Sequence, residues 1–317
     1  MAAATAMPSS ILGTFNYVKH PEEGEPWLQH YIPGSAGIHR FKLEPHDMKV
    51  VDMRTMDEPP KWDVYGFQHL KGVEPVDRKI FDEEEKQLAD AMCEEAVKLI
   101  KKVTGASYVL CFNHVTRFES PKKVKTLPSD MPDDSEFSYM GPLTSVHVDQ
   151  SYRGGRYMLE NFKRLPEVAA RMDENGAKCR VATINVWRPV SPVTRDALAV
   201  CDRRTVDDQD FRPWESHPYP GQWDPLAPLP KSEVWRPFYN AKNKWYYVSN
   251  MRPDEALLIK CFDTKMDEYS RAVPHGAFTS KVDHGPNRES VEFRCLVFWD
   301  DEPLCDQKAF ENPREKY

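Results

Sequence analysis

A histidine and an aspartate two residues apart, His147-Val148-Asp149, sit in the run Pro142-Leu143-Thr144-Ser145-Val146-His147-Val148-Asp149-Gln150-Ser151. On a strand, residues i and i+2 share a face, so an imidazole nitrogen and a carboxylate oxygen project together while Val146 and Val148 face the other way. The pair makes two thirds of a metal site, and the fold must bring the third ligand from elsewhere. Pro274-His275-Gly276-Ala277-Phe278 can supply it, and Arg288-Glu289-Ser290 follows on what reads as another strand. Two imidazoles and one carboxylate suit the open face of a non-haem Fe(II) oxygenase, which leaves coordination positions for a co-substrate and O₂.

A chain with ligands on distant strands needs many strands, and the sequence supplies them. Ser107 to Phe118, Cys179 to Trp187, Trp245 to Val248, Ala256 to Phe262 and Val291 to Trp299 are rich in β-branched and aromatic residues. The first eighty residues mix aromatics, Pro and charges without helical period and read as short strands and loops. Asp82 to Lys102 is the clearest helix: Asp82 caps it, acidic residues follow at 83 to 85, Leu88, Met92, Ala96, Leu99 and Val103 form a stripe, and Gly105 ends it. A second helix is expected over Asn161 to Met172. Residues 119 to 138 form a polar loop leading into the metal strand, and 207 to 232 form a loop with six prolines, long for a plain connector; both are expected to border the mouth of the site and carry substrate selectivity, the second offering Phe211, Trp214, Tyr219 and Trp223 as apolar contacts. Many strands with two bracing helices predict an all-β core folded as a jelly roll, in one domain spanning residues 1–317.

The net charge of −7 and pI near 5.9 give no electrostatic footprint for nucleic acid or an anionic membrane, which points to a small-molecule partner. The seven cysteines include no CxxC pair, and their odd number favours reduced thiols. No run approaches the roughly 20 apolar residues of a membrane span, and the first residues resemble neither a signal nor a transit peptide. The expectation is a cytoplasmic protein, with its oligomeric state open.

The ordered set His147-Val148-Asp149-Gln150-Ser151, Ile184-Asn185-Val186-Trp187-Arg188-Pro189, Leu198-Ala199-Val200-Cys201-Asp202, Trp245-Tyr246-Tyr247, Met251-Arg252-Pro253-Asp254-Glu255, Lys260-Cys261-Phe262-Asp263 and Arg288-Glu289-Ser290-Val291-Glu292-Phe293-Arg294 resembles the fungal AsaB-type hydroxylase/desaturase family, related to the cephalosporin 7α-methoxylase subunit CmcJ. The match runs from about residue 12 to about residue 305. The resemblance implies a double-stranded β-helix (cupin-like jelly roll), Fe(II), 2-oxoglutarate and O₂ as cofactors, and an oxidative step in secondary metabolism. It also implies conversion of 2-oxoglutarate to succinate and CO₂, coupled to hydroxylation, desaturation or ring closure of the substrate.

His284 rivals His275 as third ligand, but it stands four residues before Arg288 and leaves little chain between metal and clamp, whereas His275 has the family's Pro-His-x-x-Phe setting. Arg288, Ser290, Glu292 and Arg294 alternate onto one face opposite Val291, Phe293 and Cys295. A buried guanidinium there needs an anion, and the distal carboxylate of 2-oxoglutarate would meet Arg288 with help from Ser290, with Arg294 as the alternative clamp. Asn185 is expected on the pocket wall near the co-substrate. Trp245, Tyr247, Trp214 and Phe211 are the expected substrate contacts; the competing role for each is core packing. A Zn or Mn jelly roll for hydrolysis or isomerisation could use the same three ligands but would leave the Arg-x-Ser without a purpose, and the intact triad argues against a non-catalytic binding jelly roll.

Overall fold

In the computed structural model the described residues are 9–82, 86–174, 176–216, 231–266, 271–304 and 306–313. Two sheets face each other. One has five strands in the order Phe67–Lys71, Glu255–Asp263, Cys179–Pro189, Ser290–Pro303 and Tyr108–Arg117. The other has six, His275–Ala277, Leu198–Cys201, Trp245–Tyr247, Leu43–Asp52, Ser10–Val18 and Thr279–Ser280. A three-stranded sheet of Glu233–Pro237, Phe211–Ser216 and Gln29–Tyr31 packs at one end. Strands distant in sequence pair throughout, and the nearly closed arrangement is the double-stranded β-helix that the sequence predicts.

Period-two alternation sorts the five-stranded sheet into two faces. Ala182, Ile184, Val186, Val291, Phe293, Cys295 and Val297 pack outward against Ala96 and Ile100 of the helix Lys86–Thr104. Val181, Trp187, Leu257, Ile259, Leu296 and Phe298 turn inward to the core shared with the six-stranded sheet. Burying a side chain of this size removes about 1.5 to 3 kcal/mol of unfavourable hydration each, so the polar residues on the inward face stand out as exceptions to the pattern. Those exceptions include Thr183, Asn185, Glu255, Ser290, Glu292 and Arg294.

The first helix occupies Lys86–Thr104 and ends at Gly105, whose φ of 71° is left-handed. Residues 83–85, which were to charge its first turn, lie outside the described residues. The expected helix at Asn161 to Met172 is placed differently: the chain is helical over Tyr152–Phe162 and again over Pro166–Ala169. Its start is set by Ser151, whose Oγ accepts from the Gly154 N–H at 2.8 Å. Gly154 and Gly155 lower intrinsic helix propensity and hide this helix from a sequence reading. The helix nevertheless requires a glycine there, because a Cβ on Gly154 would stand 2.1 Å from the Glu233 carbonyl oxygen.

Candidate metal centre

The segment carrying His147 and Asp149 is held by isolated bridges at Ser145, His147 and Val148 rather than as a regular strand. His147 and His275 exchange backbone hydrogen bonds of 3.0 and 2.9 Å, and Val148 exchanges two of 3.0 Å with Trp235. The segment continues into anchors: Gln150 accepts from Thr183 Oγ1 at 2.7 Å, and Ser151 donates to Glu233. The run from His147 to Ser151 is thereby fixed from the six-, three- and five-stranded sheets and at the start of the helix that follows.

The side chains of His147, Asp149 and His275 place ligand atoms within 4.8 Å of one another. His147 Nδ1 lies 2.8 Å from the Ser145 carbonyl and His275 Nδ1 lies 2.9 Å from the Val273 carbonyl. A carbonyl only accepts, so each Nδ1 carries the proton and each Nε2 keeps its lone pair for a metal. The Nε2 of His275 is buried with no protein partner. Burial first, and then the neighbouring His275, pushes the His147 pKa well down against the pull of Asp149, which keeps that imidazole neutral.

The two oxygens of Asp149 have separate surroundings. Oδ1 lies 3.5 Å from His147 Nε2, on the side of the triad. Oδ2 accepts from Asn185 Nδ2 at 2.7 Å and pairs with Arg294 at 3.2 Å. Burial alone would raise this carboxyl; Arg294, the two imidazoles and the Asn185 amide outweigh it and hold the group well below the usual carboxylate range. Asn185 and Arg294 are register partners on adjacent strands, which brings both onto one carboxylate oxygen. Arg294 Nε also donates to Glu292 at 3.1 Å.

Arg288 stands apart from this pair. Its Nη1 donates to the Asp196 carbonyl at 2.8 Å, its guanidinium lies 5.3 Å from the Trp187 ring centroid, and its Nε is buried without a partner. The hydroxyl of the fully buried Ser290 is likewise without a partner. Burial, and then the like charge of Arg117, pushes the Arg288 pKa down to about 10. Arg117 sits opposite Ser290 in strand register, and its own pKa is lowered chiefly by burial. A buried and a half-buried guanidinium beside an unpartnered hydroxyl suit an anion. Arg117 carried no signal in the sequence; it ends a strand and lies in none of the motifs.

The aromatic residues divide. Trp245 is a core residue, stacked on Phe15 at 4.3 Å with Nε1 donating to the Tyr17 hydroxyl at 3.1 Å. Phe211 is also core, 5.3 Å from Trp235. Both are buried and pack against neighbouring rings, the competing role for these residues. Tyr247 packs edge-on to Phe278 at 5.5 Å, and Trp214 lies 5.6 Å from the Arg236 guanidinium. Arg188 faces the other way from Asn185 and ties its strand to Glu95 of the helix Lys86–Thr104 at 3.1 Å. A cavity of about 440 Å³ lined by Trp62, Gln68, Arg180 and Lys260 contains none of the triad.

A jelly roll with a two-His-one-Asp face defines the class of mononuclear non-haem metal enzymes. A family model described as "Oxidoreductase/YMDC permease-like domain" matches residues 15–298. The chain is 37% identical over 314 residues to the hydroxylase/desaturase efuI of Hormonema carpetanum, covering 95% of this chain and 99% of that one. It is 36% identical over 299 residues to the hydroxylase/desaturase CTB9 of Cercospora beticola, covering 91% and 86%. The solved structure of the iron and alpha-ketoglutarate-dependent endoperoxidase NvfI has the same fold, with a TM-score of 0.70 at 22% identity over 92% of this chain and 99% of that one. The chain belongs to this oxidoreductase family together with the fungal hydroxylases/desaturases.

Proposed function

We propose that His147 Nε2, His275 Nε2 and Asp149 Oδ1 hold one Fe(II), and that Arg288 with Ser290 clamps the distal carboxylate of 2-oxoglutarate. The protein is an Fe(II)/2-oxoglutarate-dependent dioxygenase that hydroxylates, desaturates or oxidatively cyclises a small-molecule intermediate of fungal secondary metabolism. The observation that carries the reading is the pairing of a converged triad with a separate, buried guanidinium whose Nε, like the Ser290 hydroxyl, has no hydrogen-bond partner. Hydrolysis or isomerisation at the same triad would leave that second site without an occupant.

When bound, Fe(II) and 2-oxoglutarate supply, with O₂, the power to remove hydrogen from an unactivated C–H bond. The protein's own residues do the positioning. The Ser145 and Val273 carbonyls orient the imidazoles, while Asn185 and Arg294 occupy Oδ2 and so present Oδ1. Val146, Val148 and Phe278 are buried and anchor the segments that carry the ligands in the core. No side chain is required to act as a general acid or base.

Aerobic incubation with Fe(II) and 2-oxoglutarate tests the assignment. Succinate release that requires both, and that Zn(II) cannot support, is the expected result. Iron-loaded protein that leaves 2-oxoglutarate untouched would overturn it.

A further inference from the structure

The strand Glu233–Pro237 places Arg236 one residue beyond the Val148–Trp235 bridge, beside the turn that bears His147 and Asp149. Its Nη1 donates to Ser145 Oγ at 2.8 Å, and the carbonyl of the same Ser145 orients His147. That hydroxyl is neutral, and among the described residues no carboxylate pairs with Arg236. Its Nε is sealed from solvent with no partner, although the residue as a whole is only half-buried and can be reached. Burial pushes its pKa down, with Tyr31 and Asp149 offsetting only part of the effect. A guanidinium in this condition is stabilised by an anion that arrives with a ligand.

The surroundings also define the rest of that ligand. Trp214 lies 5.6 Å from the guanidinium, and Phe41 packs edge-on to it at 4.1 Å. Val234 is opposite Trp214 in register and shares the sheet face of Arg236, and Tyr31 belongs to the same apolar cluster. An anionic head would be flanked by an aromatic and aliphatic wall. The charges of 2-oxoglutarate are met elsewhere, by the metal and by Arg288.

Resting on the oxygenase reading, we propose that the substrate is an apolar carboxylic acid whose carboxylate is held by Arg236 against the Trp214 wall, so that Arg236 sets substrate class and aims a C–H bond at the metal. The probe pair is 1-naphthoate and its neutral methyl ester. Each is titrated into the Zn(II)-substituted protein with saturating 2-oxoglutarate, and into the metal-free protein, with quenching of tryptophan emission as the readout. The acid should bind about tenfold or more tightly than the ester, as expected for a charge-assisted contact, and Arg236→Gln should erase the difference while leaving the binding of 2-oxoglutarate and the thermal midpoint in place. Arg236→Lys should restore part of the preference.

Equal binding of acid and ester, a preference that survives Arg236→Gln, or a preference lost only in Arg288→Gln would overturn the proposal. Iron uptake and succinate release by the same preparations report separately on the oxygenase reading. Their failure with the acid preference intact would remove that reading and leave Arg236 as an acid-binding residue, whereas the reverse pattern removes only the role of Arg236.

Discussion

At the scale of single residues the site sets apart two arginines, Arg294 on the strand Ser290–Pro303 and Arg288 just before it. Arg294 is bound to Asp149 and Glu292, whereas Arg288 has Nε free and lies beside an unpartnered Ser290. Arg288→Gln should therefore raise the 2-oxoglutarate concentration needed for half-maximal succinate release by about 10- to 100-fold, the loss of a charged hydrogen bond of about 1.5 to 3 kcal/mol, with iron content unchanged. Arg294→Gln should do the opposite, weakening iron with little effect on the co-substrate; the reverse pattern in a titration of both variants would exchange the two roles. Asn185→Ala should cost about 10- to 100-fold in iron affinity, measured with a competing chelator, because the second layer around a metal ligand fixes its geometry. The motif and its alternation made His147, Asp149, His275 and the arginine face legible in the sequence. The convergence of Asn185 and Arg294 on Asp149 was not, since it depends on the register of strands Cys179–Pro189 and Ser290–Pro303, which no local pattern specifies.

At the scale of elements, the sheets are joined by polar ties as well as by the core. Arg54, which follows the strand Leu43–Asp52, makes two bonds of 2.8 and 2.6 Å to Glu255 at the start of the strand Glu255–Asp263. Burial would raise the Glu255 carboxyl, and Arg54 reverses that and holds it below its ordinary 4.5. A carboxyl depressed in the folded state adds stability that is fully present above its unfolded pKa and is lost as pH falls through the folded value. Urea melts between pH 7 and 3 should show Glu255→Gln less stable by about 1.5 to 3 kcal/mol at pH 7, with the gap to the parent protein closing below pH 4.5. A constant gap would assign the tie no ionic content. The long strands and the helix Lys86–Thr104 were readable from alternation and a 3.6-residue stripe, whereas the helix Tyr152–Phe162 was not, because its paired glycines serve a close approach to Glu233 that exists only in the tertiary structure.

For the molecule as a whole, the double-stranded β-helix brings a ligand pair and a distant histidine into adjacent backbone positions. The segment 119–138 is pinned: Arg40 reaches the Pro128 and Met131 carbonyls and Asp133 at 2.7, 2.6 and 2.5 Å, and Phe137 donates to Gly34 at 2.8 Å. Such a segment is a fixed wall of the molecule, and limited proteolysis should leave it uncut with or without ligands, while Arg40→Ala exposes it; protection that appears only with substrate would make it a lid. Of the segment 207–232, residues 217–230, with Tyr219 and Trp223, lie outside the described residues. The proposed function requires one arrangement, with the metal on the triad and the co-substrate on Arg288. A crystal structure grown without oxygen from protein loaded with Fe(II) and 2-oxoglutarate measures it directly. The account predicts iron on His147 Nε2, Asp149 Oδ1 and His275 Nε2, with the distal carboxylate on Arg288 and Ser290. Iron on another ligand set, such as one using His284, or a distal carboxylate seated on Arg294 or Arg236, would contradict it.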